Sequence, residues 1–357
     1  MMRSPYESLP SKSFWRTGVV GQRPEAISGL YEPKFPITRS SRIATAGSCF
    51  AQHISRQLRA RKFSVMDAEP APPGLDAKAA ADYGYGLYSA RYANIYTSRQ
   101  LLQLVRESRG EFRPADPVWE RNGRFYDSMR PSVEPEGLCS PDAVLDHRAY
   151  HLTKVLEVVG TADLFIFTLG LTETWIDAQS GTIYPTAPGT IAGSYDSGVH
   201  RFHTLTCLEV YDDMRTFFDL VTDLNPNIRF LLTVSPVPLT ATASGHHVLA
   251  ATTYSKSVLR AAAGQLFQER DNVDYFPSYE IFVSSLSKGQ YFHPNLRSIR
   301  PEGVRAAMNT FFAAHDGGSL AVEEPLPINP DNGRTAVPSD PDEEVVCEEV
   351  LLDALLQ

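Results

Sequence analysis

The chain has 357 residues, 43% hydrophobic and 21% charged, so it is long enough to bury a large core and disorder is not expected for most of it. Its formal net charge of −9 comes from residues 317–357, which hold ten Asp or Glu and one basic residue, Arg334. Residues 1–316 are therefore neutral, with 32 basic and 32 acidic side chains. A body without a basic surplus implies neither a nucleic acid nor an anionic membrane as a partner.

The cysteines and the apolar runs narrow the class of protein further. The four cysteines lie far apart in the sequence, without the spacing of a zinc site: Cys49, Cys139, Cys207 and Cys347. No apolar run has the length of a signal peptide core or of a membrane span, which needs about 20 residues. We therefore expect a cytoplasmic protein with reduced thiols, no membrane insertion, and no metal or organic cofactor.

The first part of the chain predicts an arm, two strands and a long loop. Residues 1–41 are rich in Pro, Ser and aromatics and predict an arm that wraps the body. Apolar runs predict strands at 43–46 and 63–65, with a helix at 50–61 between them. Residues 67–96 are rich in Ala, Gly, Pro and Tyr and predict a loop of a length that is often functional.

The rest of the body alternates helices and strands. Helices are predicted over 99–109 with Ser98 as N-cap, 141–159, 208–224, 253–270 and 301–314. The runs at 163–169 and 228–234 are typical of parallel strands buried on both faces, and a short strand is predicted at 273–275. This alternation predicts one α/β domain over residues 1–316, a three-layer α/β/α sandwich with a mostly parallel sheet and a helical insertion at 97–160.

The acidic segment 317–357 predicts a Pro-rich linker that ends in a short helix. Asp340 and Pro341 form a strong helix start, and Val346, Val350 and Leu355 then recur at helical spacing. Such a short helix is marginal alone in water. We therefore expect it to dock on the body, on a second copy of the chain, or on a basic partner.

A serine follows the first predicted strand. Gly47 and Ser48 stand between the strand and the helix, at the end of a parallel sheet where α/β proteins bind ligands. Backbone N–H groups and the helix dipole would favour negative charge there, as in an oxyanion at Ser48. The alternative is an ordinary turn followed by an N-cap.

A histidine is presented near the end of the body. His293 precedes a proline, which predicts a loop, and it is suited to accept a proton from Ser48 and return it. Alone, it could simply satisfy loop hydrogen bonds. Together with Asn94 and the segment 170–173, however, it completes a set of nucleophile, oxyanion donors and base, so we expect Ser48 and His293 to come within hydrogen-bonding distance.

The segment Gly47-Ser48-Cys49-Phe50-Ala51 resembles the signature of the GSCFA domain family. Three further segments resemble its other blocks: 169–175, 233–239 and 275–280. The family is similar to the SGNH, or GDSL-like, esterases and acyltransferases. The resemblance thus implies a flavodoxin-like α/β/α sandwich.

The resemblance also implies a role for each matching residue. Ser48 would be the nucleophile, with its N–H as an oxyanion donor, and His293 would be the base. Ala93, in place of an expected glycine, or Asn94 would supply a second donor. Three further residues fall on the Gly-x-Asn-Asp block, Thr172 at its asparagine and Glu173 at its aspartate position: Gly170, Thr172 and Glu173.

The acid expected three residues before His293 is replaced by Gln290. An orienting carboxylate can be worth about 10⁴-fold in rate. Three outcomes are open: a dyad oriented by a backbone carbonyl, an acid relocated to Glu280 or Glu173, or loss of catalysis.

We therefore expect serine-dependent ester chemistry, the hydrolysis or transfer of a small acyl group such as acetyl, on a carbohydrate or polysaccharide substrate. The alternative is a non-catalytic glycan-binding or scaffolding protein. The tyrosines between 83 and 96, with Trp175, either line a sugar cleft or pack in the core. Polar residues at 254–256 are expected on the solvated face of a helix.

Overall fold

The computed structural model describes residues 4–315. The predicted acidic tail, with its terminal helix and docking role, lies outside the described residues. The strands are β1 (Ile43–Gly47), β2 (Val118–Arg121), β3 (Arg124–Asp127), β4 (Leu164–Leu169), β5 (Glu173–Asp177), β6 (Ile183–Tyr184), β7 (His200–Thr204), β8 (Arg229–Val234) and β9 (Val273–Tyr275). The α-helices are α1 (Cys49–Ala60), α2 (Ala77–Asp82), α3 (Ser98–Ser108), α4 (Pro141–Thr161), α5 (Cys207–Leu224), α6 (Val248–Glu269), α7 (Ser278–Val283) and α8 (Pro301–His315).

A parallel sheet of order β1-β4-β8-β9 forms the centre of a mixed α/β fold. The strands predicted at 43–46, 163–169, 228–234 and 273–275 are therefore confirmed. The strand predicted at 63–65 is reduced to one parallel bridge between Val65 and Ile43. Because these strands are parallel, the carboxyl ends of β1, β4 and β8 meet at one edge, where Ser48 follows β1 and Gly170 follows β4.

Each face of this sheet packs against a separate apolar core. One core takes Phe165, Phe167 and Phe230 from the strands and packs against α3 to α6. The other takes Ile166 and Leu231 and packs against α1, α8 and part of the N-terminal arm. The alternation follows from the two-residue period of a strand, and it explains why the predicted runs were continuously apolar.

The predicted insertion at 97–160 contains a β-hairpin as well as helices. Strands β2 and β3 pair between α3 and α4, and both helices contribute buried residues to the core over the sheet. Ser140 caps α4 as predicted, with Pro141 in the first turn. The predicted cap of α3 was wrong by one residue, because Thr97 accepts the Gln100 N–H and Ser98 is already helical.

A small antiparallel sheet, of order β6-β5-β7, was not predicted. Glu173 is the first residue of β5 and therefore lies in a strand. These strands are short and only partly apolar, so their signal in the sequence is weak. The small sheet begins directly after the end of β4 and therefore continues from the carboxyl edge of the main sheet.

The N-terminal arm reaches the far side of the main sheet. Tyr31 donates from its hydroxyl to Asp274 at 3.0 Å, and its ring packs against α8. Burial, and then the charge of Asp274, raise the pKa of Tyr31. Earlier in the arm Trp15 is 68% exposed, so only the later part of the arm wraps the body.

No helix within residues 4–315 is long and apolar enough to cross a membrane.

Candidate functional site

Ser48 occupies the N-cap position of α1, directly after the last residue of β1. Its side chain makes no capping hydrogen bond, and its buried Oγ has no hydrogen-bond partner among the described residues. Its backbone N–H donates to the carbonyl of Thr168 at 3.3 Å. The backbone therefore fixes the position of Ser48, and its buried hydroxyl is not used to cap α1.

Gly47 allows the serine to sit against strand β4. Its φ is +141°, and an added Cβ would lie only 2.6 Å from the carbonyl oxygen of Thr168. Because a side chain would force the two strands apart, glycine is required at this turn.

Gly170 forms the wall opposite Ser48. A Cβ at this position would lie 2.9 Å from the Ser48 Cβ and 3.0 Å from the carbonyl oxygen of Tyr96. The same Tyr96 carbonyl accepts the N–H groups of Gly170 and Leu171 at 3.1 and 3.0 Å. The ends of β1, β4 and the loop before α3 thus meet within contact distance of the serine.

Asn94 is tied to Ser48 through Tyr88. The Tyr88 hydroxyl lies 2.5 Å from Asn94 Oδ1 and 3.1 Å from the Ser48 carbonyl, and Gln52 Nε2 donates to the same Oδ1 at 3.3 Å. The Asn94 side chain is therefore held through its Oδ1 next to the start of α1. Ala93 has a φ of +59°, the left-handed conformation that explains why a glycine was expected there.

A cluster of buried charges fixes the loop that carries Asn94. The Arg91 N–H donates to Glu69 at 2.7 Å, and the Arg91 carbonyl accepts from Arg130 at 3.1 Å. Glu69 also lies 2.6 Å from His151 Nδ1, and Arg130 pairs with Asp127 at 2.7 Å. We call Glu69, Arg91, Arg130 and His151 the loop clamp.

Electrostatics set the protonation states within the loop clamp. Burial opposes ionisation of Glu69, but His151, Arg130 and the Arg91 N–H outweigh it and lower its pKa to about 2. Burial, and then the charge of Arg130, lower the pKa of His151 to about 4. At neutral pH a neutral His151 therefore donates from Nδ1 to the Glu69 carboxylate. Sequence reasoning missed the clamp because its members lie up to 82 residues apart.

Thr172 and Glu173 follow Gly170 into β5. The Thr172 N–H donates to Ser255 Oγ at 3.0 Å, whereas its buried Oγ1 has no partner among residues 4–315. Glu173 is half-buried and accepts from the Thr242 hydroxyl at 2.7 Å. Thus the N–H groups of both Ser48 and Thr172 already donate within the protein, and the Thr172 hydroxyl does not.

Lys256 is a site residue that sequence reasoning missed. It is only 2% exposed, and its Nζ donates to the Gly170 carbonyl at 2.5 Å. The expectation of a solvated face at 254–256 was wrong, because Ser255 and Lys256 both point inward and only Tyr254 is exposed. The spacing of Ala251, Ser255 and Leu259 is the signal that could have identified this buried face.

His293 lies in the loop between α7 and α8, where Phe292 and Ile299 form an isolated bridge. Its N–H donates to Ser298 at 2.8 Å, and its ring Nε2 is enclosed by protein. Phe292 packs on Phe282, and Phe282 packs on Phe50 in the first turn of α1, with ring centroids 5.9 and 5.5 Å apart. The loop of His293 therefore approaches the helix that Ser48 begins.

The predicted hydrogen bond between Ser48 and His293 is not formed in this structure, since Ser48 Oγ has no partner among the described residues. The approach of Ser48 and His293 to a looser distance without ligand stays a prediction. Without a ligand, hydrogen bonds between catalytic groups are often long and tighten only with substrate.

Glu280, considered as a relocated acid, is committed elsewhere. Its carboxylate pairs with Arg260 at 2.5 Å and accepts from the Tyr275 hydroxyl at 3.0 Å. It lines a separate cavity of about 500 Å³ beneath the N-terminal arm. Burial, and then the charge of Glu280, raise the pKa of Tyr275.

A cavity of about 220 Å³ is lined by Tyr96 and Leu171, the two residues whose backbones are hydrogen-bonded next to Gly170. Its other lining residues include Glu173, Trp175, Phe202 and Thr242. The tyrosines between 83 and 96 divide accordingly: Tyr88, Tyr92 and Tyr96 are all buried, and of these only Tyr96 lines the cavity. Within residues 4–315 no three His, Cys, Asp or Glu side chains are grouped so that they could hold a metal ion.

The fold and the site together define an α/β protein that presents a buried serine at the carboxyl edge of a parallel sheet, beside an aromatic cavity. The sequence matches the GSCFA family over residues 42–311, so the chain belongs to that family. The match includes every predicted site residue from Ser48 to His293. A search of curated proteins found no match.

Proposed function

We propose that this chain carries out serine-dependent ester chemistry, the hydrolysis or transfer of a small acyl group such as acetyl, on a carbohydrate substrate. The observation that carries the proposal is an N-cap serine that does not cap. Thr97, Ser140 and Thr206 each accept a backbone N–H at the start of their helices, as N-cap residues normally do. Ser48 holds the same position and makes no such bond.

A buried N-cap hydroxyl that makes no hydrogen bond lowers the stability of the folded protein, so its presence calls for an explanation. Leaving a buried polar group without a partner costs about 1–3 kcal/mol, and such groups often mark catalytic sites. The Ser48 hydroxyl also lies at the N-terminus of α1, whose dipole stabilises negative charge. A role as nucleophile would explain why the Ser48 hydroxyl is kept buried without a hydrogen-bond partner.

The reaction would proceed through an acyl-enzyme. Ser48 Oγ attacks the carbonyl carbon of the ester while His293 accepts the serine proton. The bond to the alcohol then breaks, and the alcohol leaves with the proton from His293. Water, or the hydroxyl of an acceptor, attacks the carbonyl carbon of the acyl-enzyme and gives its proton to His293. The bond between this carbon and Ser48 Oγ then breaks, Ser48 Oγ takes the proton from His293, and the acid or the new ester leaves.

We propose Asn94 and the Thr172 hydroxyl as the groups that hold the oxyanion, because the Thr172 hydroxyl has no partner among the described residues. The Ser48 N–H already donates to the Thr168 carbonyl at 3.3 Å and would have to leave it to take part. Lys256 supports them through the Gly170 carbonyl, at the wall of the site. Donors fixed before the reaction are usually the largest source of such stabilisation.

We further propose that Ser48 and His293 act as a dyad, without a dedicated acid. Gln290 stands in the expected acidic position, and Glu280 is engaged by Arg260 and Tyr275. Ser48 and His293 would close their hydrogen bond when an ester fills the site. Without an acid, turnover should be slow compared with a complete triad.

A flavodoxin-like, SGNH-like fold is part of the same proposal. The Val65 bridge puts the segment after α1 beside β1, so the order along the sheet follows the pattern 2-1-3-4-5. That order is common among doubly wound folds, which bind ligands at the carboxyl ends of the strands.

The alternative is a non-catalytic glycan-binding protein. Two observations favour it: Gln290 replaces the acid, and the bond between Ser48 and His293 is not formed. The two functions differ in one property, namely the reactivity of Ser48.

A fluorophosphonate probe measures that reactivity without knowledge of the substrate. We expect the probe to label the wild-type chain and not Ser48→Ala, and we expect 4-nitrophenyl acetate hydrolysis to follow the labelling. Ser55→Ala is the matched control, because Ser55 is also buried on α1 with an unpartnered Oγ, two turns further along. Cys49→Ala tests the neighbouring thiol.

Equal labelling of the wild type and Ser48→Ala would refute Ser48 as the nucleophile. Loss of labelling in Cys49→Ala alone would move the chemistry to the thiol. A wild-type chain that neither reacts with the probe nor cleaves the ester would leave the glycan-binding alternative.

A further inference from the structure

The cavity of about 500 Å³ beneath the N-terminal arm is lined by three parts of the chain. Residues 29–32 of the arm form one side, α6 forms a second, and the segment from the end of β9 into α7 forms the third. The residues from α6 are spaced so that they share one face of the helix: Arg260, Gly264, Phe267 and Gln268. Neither Ser48 nor Gly170 lines this cavity, so it is separate from the serine site.

The walls of this cavity are aromatic, and the charges in them are paired. Three lining residues carry aromatic rings: Tyr31, Phe267 and Tyr275. Of the two lining carboxylates, Glu280 pairs with Arg260 at 2.5 Å and Glu32 pairs with Lys12. Because each carboxylate has a cation beside it, the cavity is better suited to an uncharged, apolar ligand than to an ion.

Gly264 keeps the α6 wall of the cavity open. It lies inside a helix of 22 residues, where glycine is less favourable than alanine. An added Cβ would lie 2.8 Å from the end of the Arg260 side chain, which is flexible, and would meet no backbone atom. A glycine on the lining face of a helix lets the backbone of a ligand approach the helix closely.

The described part of the chain ends next to this cavity. His315, the last residue that the structure describes, packs edge-on against Tyr31, with ring centroids 5.6 Å apart. Its Nε2 lies 3.3 Å from the Tyr31 hydroxyl, and Tyr31 lines the cavity. Pro325 follows His315 by ten positions, and ten residues of extended chain span up to about 33 Å. The segment that begins at Pro325 can therefore reach the cavity.

The sequence within that reach is rich in proline. Residues 325–330 read Pro-Leu-Pro-Ile-Asn-Pro, and we call them the proline segment. Proline fixes φ near −65° and favours the polyproline II conformation, whose carbonyl groups make no internal hydrogen bonds. Grooves lined by aromatic rings bind such segments, because a chain that is already extended loses little entropy. Arg260 and Gln268 lie in the same lining and have N–H groups that suit those carbonyls.

We propose that the proline segment docks in this cavity of its own chain. Its prolines pack on the aromatic rings, and its carbonyl groups accept from Arg260 and Gln268. The docked segment holds the N-terminal arm against α6. Because a short linker gives an effective concentration in the millimolar range, a site of modest intrinsic affinity is enough. The inference does not depend on the chemistry at Ser48.

A labelled peptide tests whether the proline segment occupies the cavity. The peptide of residues 320–333 carries fluorescein, and its anisotropy measures binding to the full-length chain. The triple variant Pro325→Ala/Pro327→Ala/Pro330→Ala, also made in the full-length chain, should leave the cavity open. We expect the peptide to bind the triple variant at least tenfold more tightly than the wild-type chain, because the tethered segment of the wild type competes with it.

A change at Gly264 tests the location of the binding site. Gly264→Leu puts a side chain into the cavity, and the helix tolerates it because leucine is a better helix former than glycine. Added to the triple variant, it should weaken peptide binding at least tenfold. Gly160→Leu is the matched control and should leave binding unchanged, because an added Cβ at Gly160 in α4 meets no atom within 4 Å. A peptide with its three prolines replaced by alanine should also bind at least tenfold more weakly, and this test leaves the folded chain unaltered.

The possible occupants of the cavity give different results. Equal binding of the peptide to the wild-type chain and the triple variant would overturn the proline segment as the occupant. Absence of binding to both, or binding that Gly264→Leu does not weaken, would overturn the docking site. Light scattering should show the same mass for the wild type and the triple variant. A wild-type dimer that the triple variant dissociates would mean that the segment docks on a second copy, and this would overturn docking within one chain.

Discussion

A single methyl group at Gly170 tests the geometry around Ser48 most directly. In Gly170→Ala the new Cβ would lie 2.9 Å from the Ser48 Cβ and 3.0 Å from the Tyr96 carbonyl oxygen. Carbon atoms pack at about 3.5 Å or more, so Ser48 or its neighbours must move by about 0.5 Å. Overpacking of this kind costs about 1–3 kcal/mol of unfolding free energy. A shift of 1 Å can cost about 10²-fold in rate, so we expect at least about a tenfold loss of labelling at Ser48.

The assay combines urea denaturation with the rate of fluorophosphonate labelling. The matched control is Gly160→Ala in α4, where an added Cβ meets no atom within 4 Å. Because alanine favours a helix over glycine, this control should gain up to about 1 kcal/mol and label at the wild-type rate. A Gly170→Ala variant that matches the wild type in both stability and labelling would refute the contact between β4 and Ser48.

Four further changes test other parts of the structure. Ser48→Ala removes a buried hydroxyl that has no partner among the described residues, so the free energy of unfolding should stay constant or rise by up to about 1 kcal/mol. A clear loss of stability in urea denaturation would show that this hydroxyl does make a stabilising hydrogen bond. Lys256→Met should slow labelling of Ser48 at least tenfold and lower the free energy of unfolding by about 1–3 kcal/mol, because the Gly170 carbonyl loses its donor. Unchanged labelling would show that Lys256 has no role at the site. Folding lowers the pKa of His151 from 6.5 to about 4, so its contribution is complete above pH 6.5 and about 1.5 kcal/mol of it is lost between pH 6.5 and 5. His151→Gln should show a correspondingly shallower loss of stability over that range, and an unchanged slope would contradict a buried neutral imidazole. If the acidic tail docks, truncation after Gly318 should lower the melting temperature, change the oligomeric state or abolish binding of a partner in pull-downs. A truncated chain that is unchanged in all three properties would refute docking.

The main sheet could be predicted from sequence because its strands are apolar on both faces. Phe165 and Ile166 point into different cores, and both are apolar because each core is buried. The strand is therefore a continuous run of apolar residues, a pattern typical of parallel strands buried on both faces. Ser48 could be predicted as a candidate site for the same reason, since it directly follows such a run. The small sheet of β5, β6 and β7 could not, because strands of two to five residues with mixed polarity carry little periodic signal.

The partners of the site residues were harder to predict than their positions. The Ser48 N–H was expected to be available as an oxyanion donor, but the Thr168 carbonyl accepts it. The Thr172 N–H likewise donates to Ser255 Oγ. Lys256 was assigned to the solvated face of a helix because adjacent helical residues such as Ser255 and Lys256 do not face each other, and only the packing of α6 shows that it reaches Gly170. Such contacts depend on how elements distant in sequence pack, and a single sequence does not record this.

The loop clamp makes the site depend on a distant part of the chain during folding. Residues 43–96 contain both Ser48 and Asn94. The loop that carries Asn94 is held by Arg130 and His151, which follow residue 96 by 34 or more positions in the sequence. A polypeptide that stops before α4 would therefore have the serine without the loop conformation beside it. Because such long-range contacts form only after a costly loop closure, the serine site should assemble late, and a nascent chain should stay unreactive until α4 has packed.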